Sequence, residues 1–207
     1  MKKTFVALRD DRPGLVWQRR FAEVWPRPSE RYRQDGLEAR PTVAEARNAL
    51  ARCRTAKDAV ATLIRIPVHM AQNVTVLDRR GDFATVFVGA DREPAVCDQA
   101  VCTNHQEAGV WPEAAAGNRT LERCGSLNER LADPSMTLDR LVEGMLRPPL
   151  YAFDPGRGFA TVDSALYRPA QGIGDYFWPG RRWRQSFDRF EPGSYTHEYA
   201  AAPATED

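Results

Sequence analysis

Hydrophobic positions change their period along this chain, and the changes mark its elements. Thr4–Leu8 is a short apolar run that predicts a strand, broken by Asp10-Asp11-Arg12-Pro13-Gly14. Leu15, Trp17, Phe21, Val24 and Trp25 recur at near-helical steps, which predicts an amphipathic helix stopped by Pro26 and Pro28. Ser29–Arg40 reads as a second, more polar helix weakened by Gly36. Pro41-Thr42-Val43-Ala44-Glu45 is a helix start in which Thr42 caps the free amides and Glu45 reaches back, with Val43, Ala46, Leu50 and Cys53 on one face. The same signature returns at Thr55-Ala56-Lys57-Asp58, followed by Val60, Leu63 and Ile64. Two capping signals within one periodic stretch mean either that Thr55 is a mid-helix residue or that two helices meet near Arg54.

Period two then takes over. Asn73–Leu77 and Phe83–Val88 flank Asp78-Arg79-Arg80-Gly81-Asp82 and form the clearest hairpin of the sequence. Pro94–Thr103 reads as a further strand with Val96 and Val101 inside. Leu121, Cys124, Leu127 and Leu131 mark a helix, and Thr137 opens a shorter one through Met145 that ends at Arg147-Pro148-Pro149. Phe159–Tyr167 and Ile173–Trp178 make a second hairpin across residues 168–172, and Ser194–Tyr199 is the last strand expected. Residues 200–207 read as a disordered tail. Because strands and helices are segregated rather than alternating, the pattern predicts an α+β fold with antiparallel hairpins and flanking helices.

Composition narrows the possibilities. The 207 residues carry 29 Lys+Arg against 28 Asp+Glu, a formal charge of +1, which argues against nucleic acid as a partner. Of the basic residues, 26 are Arg and 3 are Lys, a bias that a GC-rich coding sequence produces without functional selection. No apolar run approaches the ~18 residues of a membrane span, and charges interrupt residues 1–20 too early for a signal peptide. Four cysteines without a dense framework suit a reducing compartment, so a cytoplasmic protein is expected.

Residue types alone do not establish a chemistry. Cys97, Cys102 and His105, with His69 or His197, could ligate zinc, but the cysteines lie at the edge of the usual spacing and no second Cys pair exists. Structural thiols and a solvated histidine are the plainer reading, and no metal or cofactor is expected. Cys102 is the one thiol with a candidate base nearby, yet positions i and i+3 of a strand face opposite ways, so contact with His105 needs a bend. Cys53 and Cys124 read as core residues. Arg181-Arg182-Trp183-Arg184 could hold phosphate or stack a base, against the ordinary reading of a surface loop anchored by Trp183 and Phe187. There is no P-loop, no G-x-G-x-x-G and no HExxH.

Three segments taken together are more specific: Ile66-Pro67-Val68-His69-Met70-Ala71-Gln72-Asn73-Val74-Thr75-Val76-Leu77-Asp78; Cys102-Thr103-Asn104-His105-Gln106 leading to Trp111-Pro112-Glu113; and Gly158–Thr161 through Tyr167–Ala170 into Trp178-Pro179-Gly180 and Trp183–Asp188. With Phe21–Pro26, Ala39–Thr42 and Ala44–Arg47, they resemble the isopenicillin N acyltransferase-like branch of the N-terminal-nucleophile cysteine hydrolases. The resemblance implies a partial αββα sandwich in a single domain over 1–207, with 1–54 as an N-terminal helical segment and 55–199 as the C-terminal part. It implies acyl-enzyme chemistry on a small amide or thioester, performed by a cysteine whose freed α-amine is its own base. By the same resemblance Asn104 is the oxyanion donor, His105 lines the substrate pocket, and Arg123 is an active-site arginine.

In that family a long segment carrying the nucleophile separates the N-terminal helices from the Val-His-Met region. Here Ala51-Arg52-Cys53-Arg54 runs straight into Thr55-Ala56-Lys57-Asp58, where the doubled capping signal falls. None of the four cysteines sits in the family's nucleophile context. The expectation is therefore a family member inactive as written. The alternatives are an active amidase or acyltransferase once the missing segment is supplied, or a non-catalytic binding protein, a homodimer paired through an uncovered sheet.

Overall fold

The computed structural model describes residues 2–8, 14–22, 50–66, 68, 71–90, 92–106, 119–154, 159–194 and 196–199. The expected helix over Ser29–Arg40, the helix start at Pro41–Glu45, His69, Trp111–Glu113 and the tail lie outside them. Ten strands run β1 Lys2–Leu8, β2 Gly14–Ala22, β3 Gln72–Leu77, β4 Phe83–Gly89, β5 Arg92–Cys97, β6 Val101–Cys102, β7 Phe153–Asp154, β8 Phe159–Arg168, β9 Ile173–Trp178 and β10 Arg181–Ser186. The helices with both ends among the described residues are α1 Ala56–Leu63, α2 Thr120–Leu131 and α3 Leu138–Met145. The mixed α+β class follows directly.

Two antiparallel sheets result. The larger has the order β10-β9-β8-β2-β1-β6, with β7 also on β8; the smaller is β3-β4-β5. Of the helix expected from Leu15 to Trp25, Leu15–Ala22 is instead part of strand β2 and the rest lies outside the described residues, so the 1–54 segment is not helical throughout. The physical reason is pairing on both sides: β2 meets β1 from Lys2↔Arg20 to Leu8↔Gly14, and β8 from Leu15↔Tyr167 to Ala22↔Phe159. A strand held by two ladders overrides a weak helical period.

Alternation within β8 and β9 separates two cores. Leu166, with Phe177 packed beside it, joins Val101 and the helical residues Leu127, Leu141, Val142 and Met145, so α2 and α3 cover this face of the large sheet. Leu127 and Leu141 are fully buried, each contributing on the order of 1.5–3 kcal/mol. On the opposite face, Tyr167 and Ala100 meet Phe83 and Leu77 of the small sheet. The small sheet turns Val74, Val76, Val86 and Val88 the other way, onto Leu63 and Val60 of α1.

At the junction near Arg54 the helical path is interrupted, and a new helix starts at Ala56. Helical structure ends at Leu50, Cys53 N donates to Leu50 O, and Thr55 Oγ1 caps α1 by accepting from Asp58 N at 3.1 Å. Asp78 ties this start to the hairpin, accepting from Ala56 N at 3.0 Å and from Arg80 N at 2.8 Å. Burial pushes its carboxyl up, but the N–H groups of Ala56, Arg80 and Asp82, with the charge of Arg80, hold it below the ordinary value.

Other expectations are redrawn. The run Pro94–Thr103 is not one strand: β5 pairs with β4 in the small sheet, whereas β6 pairs with β1 in the large one. Asp98-Gln99-Ala100 crosses between them. Arg181–Arg184 is strand β10, not a loop, because its ladder with β9 runs from Arg181↔Trp178 to Ser186↔Ile173. Phe187 does not anchor it, being 93% exposed. Ser194–Tyr199 forms no strand in its described part, since ring contacts rather than a ladder hold it: Phe153 and Tyr199 stack at 5.0 Å, and Tyr199 Oη donates to Val162 O. Helix α2 stands where expected but turned, burying Thr120, Arg123 and Leu127 while Leu121 is 56% exposed. No helix among the described residues is long and apolar enough to cross a membrane.

Candidate active site

Strand β6 ends in a loop, Thr103–Gln106, fixed from both sides. From β3, Asn73 Nδ2 donates to Thr103 O at 2.7 Å and to His105 O at 3.0 Å. Gln106, buried, donates through Nε2 to Asn73 Oδ1 at 2.9 Å and to the Gln72 and Val88 carbonyls at 3.2 Å. Its Oε1 accepts from Arg92 Nη1 at 3.0 Å. The loop is thereby pinned to all three strands of the small sheet, although β6 belongs to the large one. Buried amide groups satisfied in this way hold a loop rigid.

The other side is the start of α2. Thr120 Oγ1 accepts from Asn104 N at 2.9 Å, and Thr103 Oγ1 donates to Thr120 O at 3.2 Å. One turn on, Arg123 Nη2 donates to Asn104 Oδ1 at 2.6 Å. The spacing of three puts Thr120 and Arg123 on one helix face. Asn104 and Arg123, 19 residues apart, are thus brought together, with His105 beside them.

Arg123 determines how Asn104 points. A guanidinium only donates, so the amide atom it meets is the oxygen, and Nδ2 must face the other way. Among the described residues the two Nδ2 hydrogens have no hydrogen-bond acceptor. Asn104 is half-buried, so these hydrogens can reach a ligand. Arg123 is fully buried, and loss of water lowers its pKa to about 10, which leaves it charged at neutral pH.

A proton count places a proton on Nδ1 of His105. Its Nδ1 lies 3.0 Å from Thr103 Oγ1 and 3.1 Å from Thr120 Oγ1, while the two hydroxyls are 2.8 Å apart. With the bond to Thr120 O, these make four short contacts. The two hydroxyls supply two protons, so Nδ1 must carry a third, shared between both oxygens.

The cysteines stand apart from this machinery. Cys102 is buried, its Sγ donates to Thr103 O at 3.5 Å, and burial pushes its pKa up to about 12. The bend after β6 turns His105 to the threonine hydroxyls. Burial likewise pushes Cys124 up. Cys53 and Cys124 are half-buried rather than fully core, and Cys53 Sγ meets Thr62 Oγ1 at 3.5 Å. Cys97 sits in β5 opposite Thr85, and among the described residues no three His, Cys, Asp or Glu side chains could hold a metal together. Sequence reasoning did not single out Asn73, Thr120 or Gln106. Asn73 gave one signal, a polar residue opening an otherwise β-branched run.

The fold and this loop define an α+β protein whose side-chain amide is held, oxygen first, by a buried arginine. The family model for acyl-coenzyme A:6-aminopenicillanic acid acyl-transferase matches residues 31–148, more than half of the chain. The chain belongs to that family. Among curated proteins none matches.

Proposed function

We propose that this chain carries the carbonyl-polarising half of an amide or thioester acyl-transfer site in a partial αββα sandwich of the N-terminal-nucleophile type, and that it does not turn over alone. The layering supports the architecture: helices α2 and α3, the large sheet, the small sheet and α1 pack in that order. The observation that carries the site is the Arg123–Asn104 bond, which leaves Nδ2 as a fixed pair of donors. When a thiol attacks a carbonyl carbon, its oxygen gains negative charge, and a donor already in place stabilises that charge without reorganising. The bond to the leaving amine or thiol then breaks and the departing group takes up a proton. Water or a second amine resolves the acyl-enzyme. His105 borders the substrate, Arg123 acts from behind Asn104, and no cofactor enters the step.

What supports incompetence is the state of the thiols. Nucleophilic cysteines are exposed and acidified, whereas burial drives Cys102 and Cys124 the opposite way. An oxyanion donor alone is worth roughly 10²–10³-fold, a small part of a whole catalytic effect. The attacking cysteine belongs to a segment that the Arg54–Thr55 junction omits, and activity returns where another chain supplies it. The free thiols support placing the protein in the cytoplasm. A second reading, a homodimeric binding protein, is favoured by the mismatch of a three-stranded sheet against a seven-stranded one and by Val96, 54% exposed on edge strand β5. A discrete dimer mass in solution supports that reading.

The test is a titration with a small secondary amide and an activated acyl thioester. The Asn104 side-chain amide signal shifts with the amide, Asn104→Ala abolishes binding, and intact mass shows no acyl adduct. Turnover with an adduct on any cysteine overturns the inactivity, and an unresponsive Asn104 overturns the site.

A further inference from the structure

Strand β10 is the edge of the large sheet opposite to β6. Five strand spacings of ~4.8 Å put it roughly 24 Å from the Asn104 loop along the sheet. Arg182 and Arg184, two residues apart, share the face on which Asp175 and Phe177 lie, because Arg184 registers with Asp175 and Arg182 with Phe177. Asp175 is fully buried. Arg182 gives it Nε at 3.0 Å and Nη2 at 2.8 Å, Arg184 gives Nε at 2.7 Å and Nη2 at 3.1 Å, and Arg168 adds Nη1. Three guanidiniums meet one carboxylate, an excess of two positive charges.

Each of the two forward arginines uses the Nε–Nη2 side of its guanidinium on Asp175. The other side, with both Nη1 hydrogens and one on Nη2, remains. Among the described residues Asp175 is the one polar partner of either group. Both heads are about half exposed, 47% and 51%, and Arg182 is further held over the Phe177 ring at 5.5 Å. Two donor forks, already immobilised by a buried anchor, lose little freedom on meeting an oxyanion. Trp183 alternates to the opposite face and packs on Tyr176 at 5.9 Å, so stacking of a base across this cluster is not what the strand presents.

We propose that Arg182 and Arg184, braced by Asp175, form a binding site for the dianionic phosphate group of a small soluble molecule. Two forks carrying an excess of two charges match a group with two charges and three acceptor oxygens. The site is independent of the acyl-transfer reading, lying at the other edge of the sheet.

The test follows the Arg Nε–H resonances of the intact chain during titration at pH 8 with inorganic phosphate and with a soluble phosphomonoester, against chloride at equal ionic strength. Saturable shifts at Arg182 and Arg184 are expected, absent with chloride. Arg184→Gln weakens binding about tenfold or more, and Arg184→Lys, which keeps charge but not the fork, weakens it by a smaller factor. Melting temperatures that stay well above the titration temperature separate these losses from unfolding. Tighter binding of the monoester supports a phosphate carried on an organic molecule. Equal shifts with chloride, or phosphate binding indifferent to Arg184→Gln, overturn the proposal.

Discussion

The guanidinium of Arg123, wholly buried in the first turn of α2, donates to Asn104 Oδ1 at 2.6 Å and so sets which end of that amide faces outward. Arg123→Met keeps most of the side-chain volume and removes the donor. The chain loses about 1.5–3 kcal/mol, the size of a hydrogen bond from a charged group. The Asn104 side-chain amide also becomes averaged between orientations. Urea midpoints and the Asn104 amide linewidth check the two effects separately.

His105 is a second reporter of the loop. Its Nδ1 carries a proton, visible in the two-bond proton–nitrogen pattern of the ring. Thr120→Val removes one hydroxyl and the acceptor of Asn104 N, and it costs about 1–3 kcal/mol. Predominance of the Nε2–H form in the parent chain would contradict the proton count.

Cys102 makes stability depend on alkaline pH. Its pKa rises from 9.0 to about 12 in the folded chain, so below pH 9 both states hold the proton and the contribution is complete. Above pH 9 the unfolded chain releases its proton first and is favoured, by at most about 1.4 kcal/mol per pH unit. Cys124, also raised, acts in the same direction. Arg123 opposes them only above about pH 10, where the folded chain would release the proton that the unfolded chain keeps. Denaturant midpoints therefore fall between pH 9 and 10, and Cys102→Ala flattens the fall. In the native chain at pH 8, Cys102 resists alkylation.

Asp175→Asn leaves three guanidiniums facing one another over a neutral amide. Because Arg182 and Arg184 are half exposed, the loss is about 1–3 kcal/mol. Added salt returns part of the loss by screening the exposed arginines. A melting temperature unchanged in low salt would show that Asp175 is not the anchor of β10.

Much of the architecture was legible where the signal is local. The hairpin Gln72–Gly89 follows from alternation around Asp78–Asp82, and α3 from the Thr137 cap, which accepts from Arg140 N at 3.2 Å. Thr55 likewise marked a true helix start. What failed was non-local. Leu15, Trp17 and Phe21 fit a helix until β1 and β8 are known to flank them. Val96 and Val101 look like one strand until Asp98–Ala100 is seen to cross between sheets.

At the site the same division holds. Asn104, His105 and Arg123 were named by resemblance to a family motif, and the structure brings them together. No periodicity announced that Thr120 rather than Leu121 faces the loop, because α2 buries a polar stripe there. A helix face that holds Thr120 and Arg123 inward is chosen by partners 16 and 19 residues away, not by hydrophobicity.

The crossing at Asp98–Ala100 has a mechanical consequence. Chain of this length, bounded by Cys97 and Val101, reaches at most about 14 Å at ~3.6 Å per residue, while packed sheets stand ~10 Å apart. With so little slack, the crossing acts as the spine of a book whose two boards are the sheets. Asn104 sits four residues past that spine and two beyond Cys102, on a loop tethered to one board by Asn73 and Gln106 and carried on the other by β6. Any sliding of the boards is therefore delivered to the Asn104 amide.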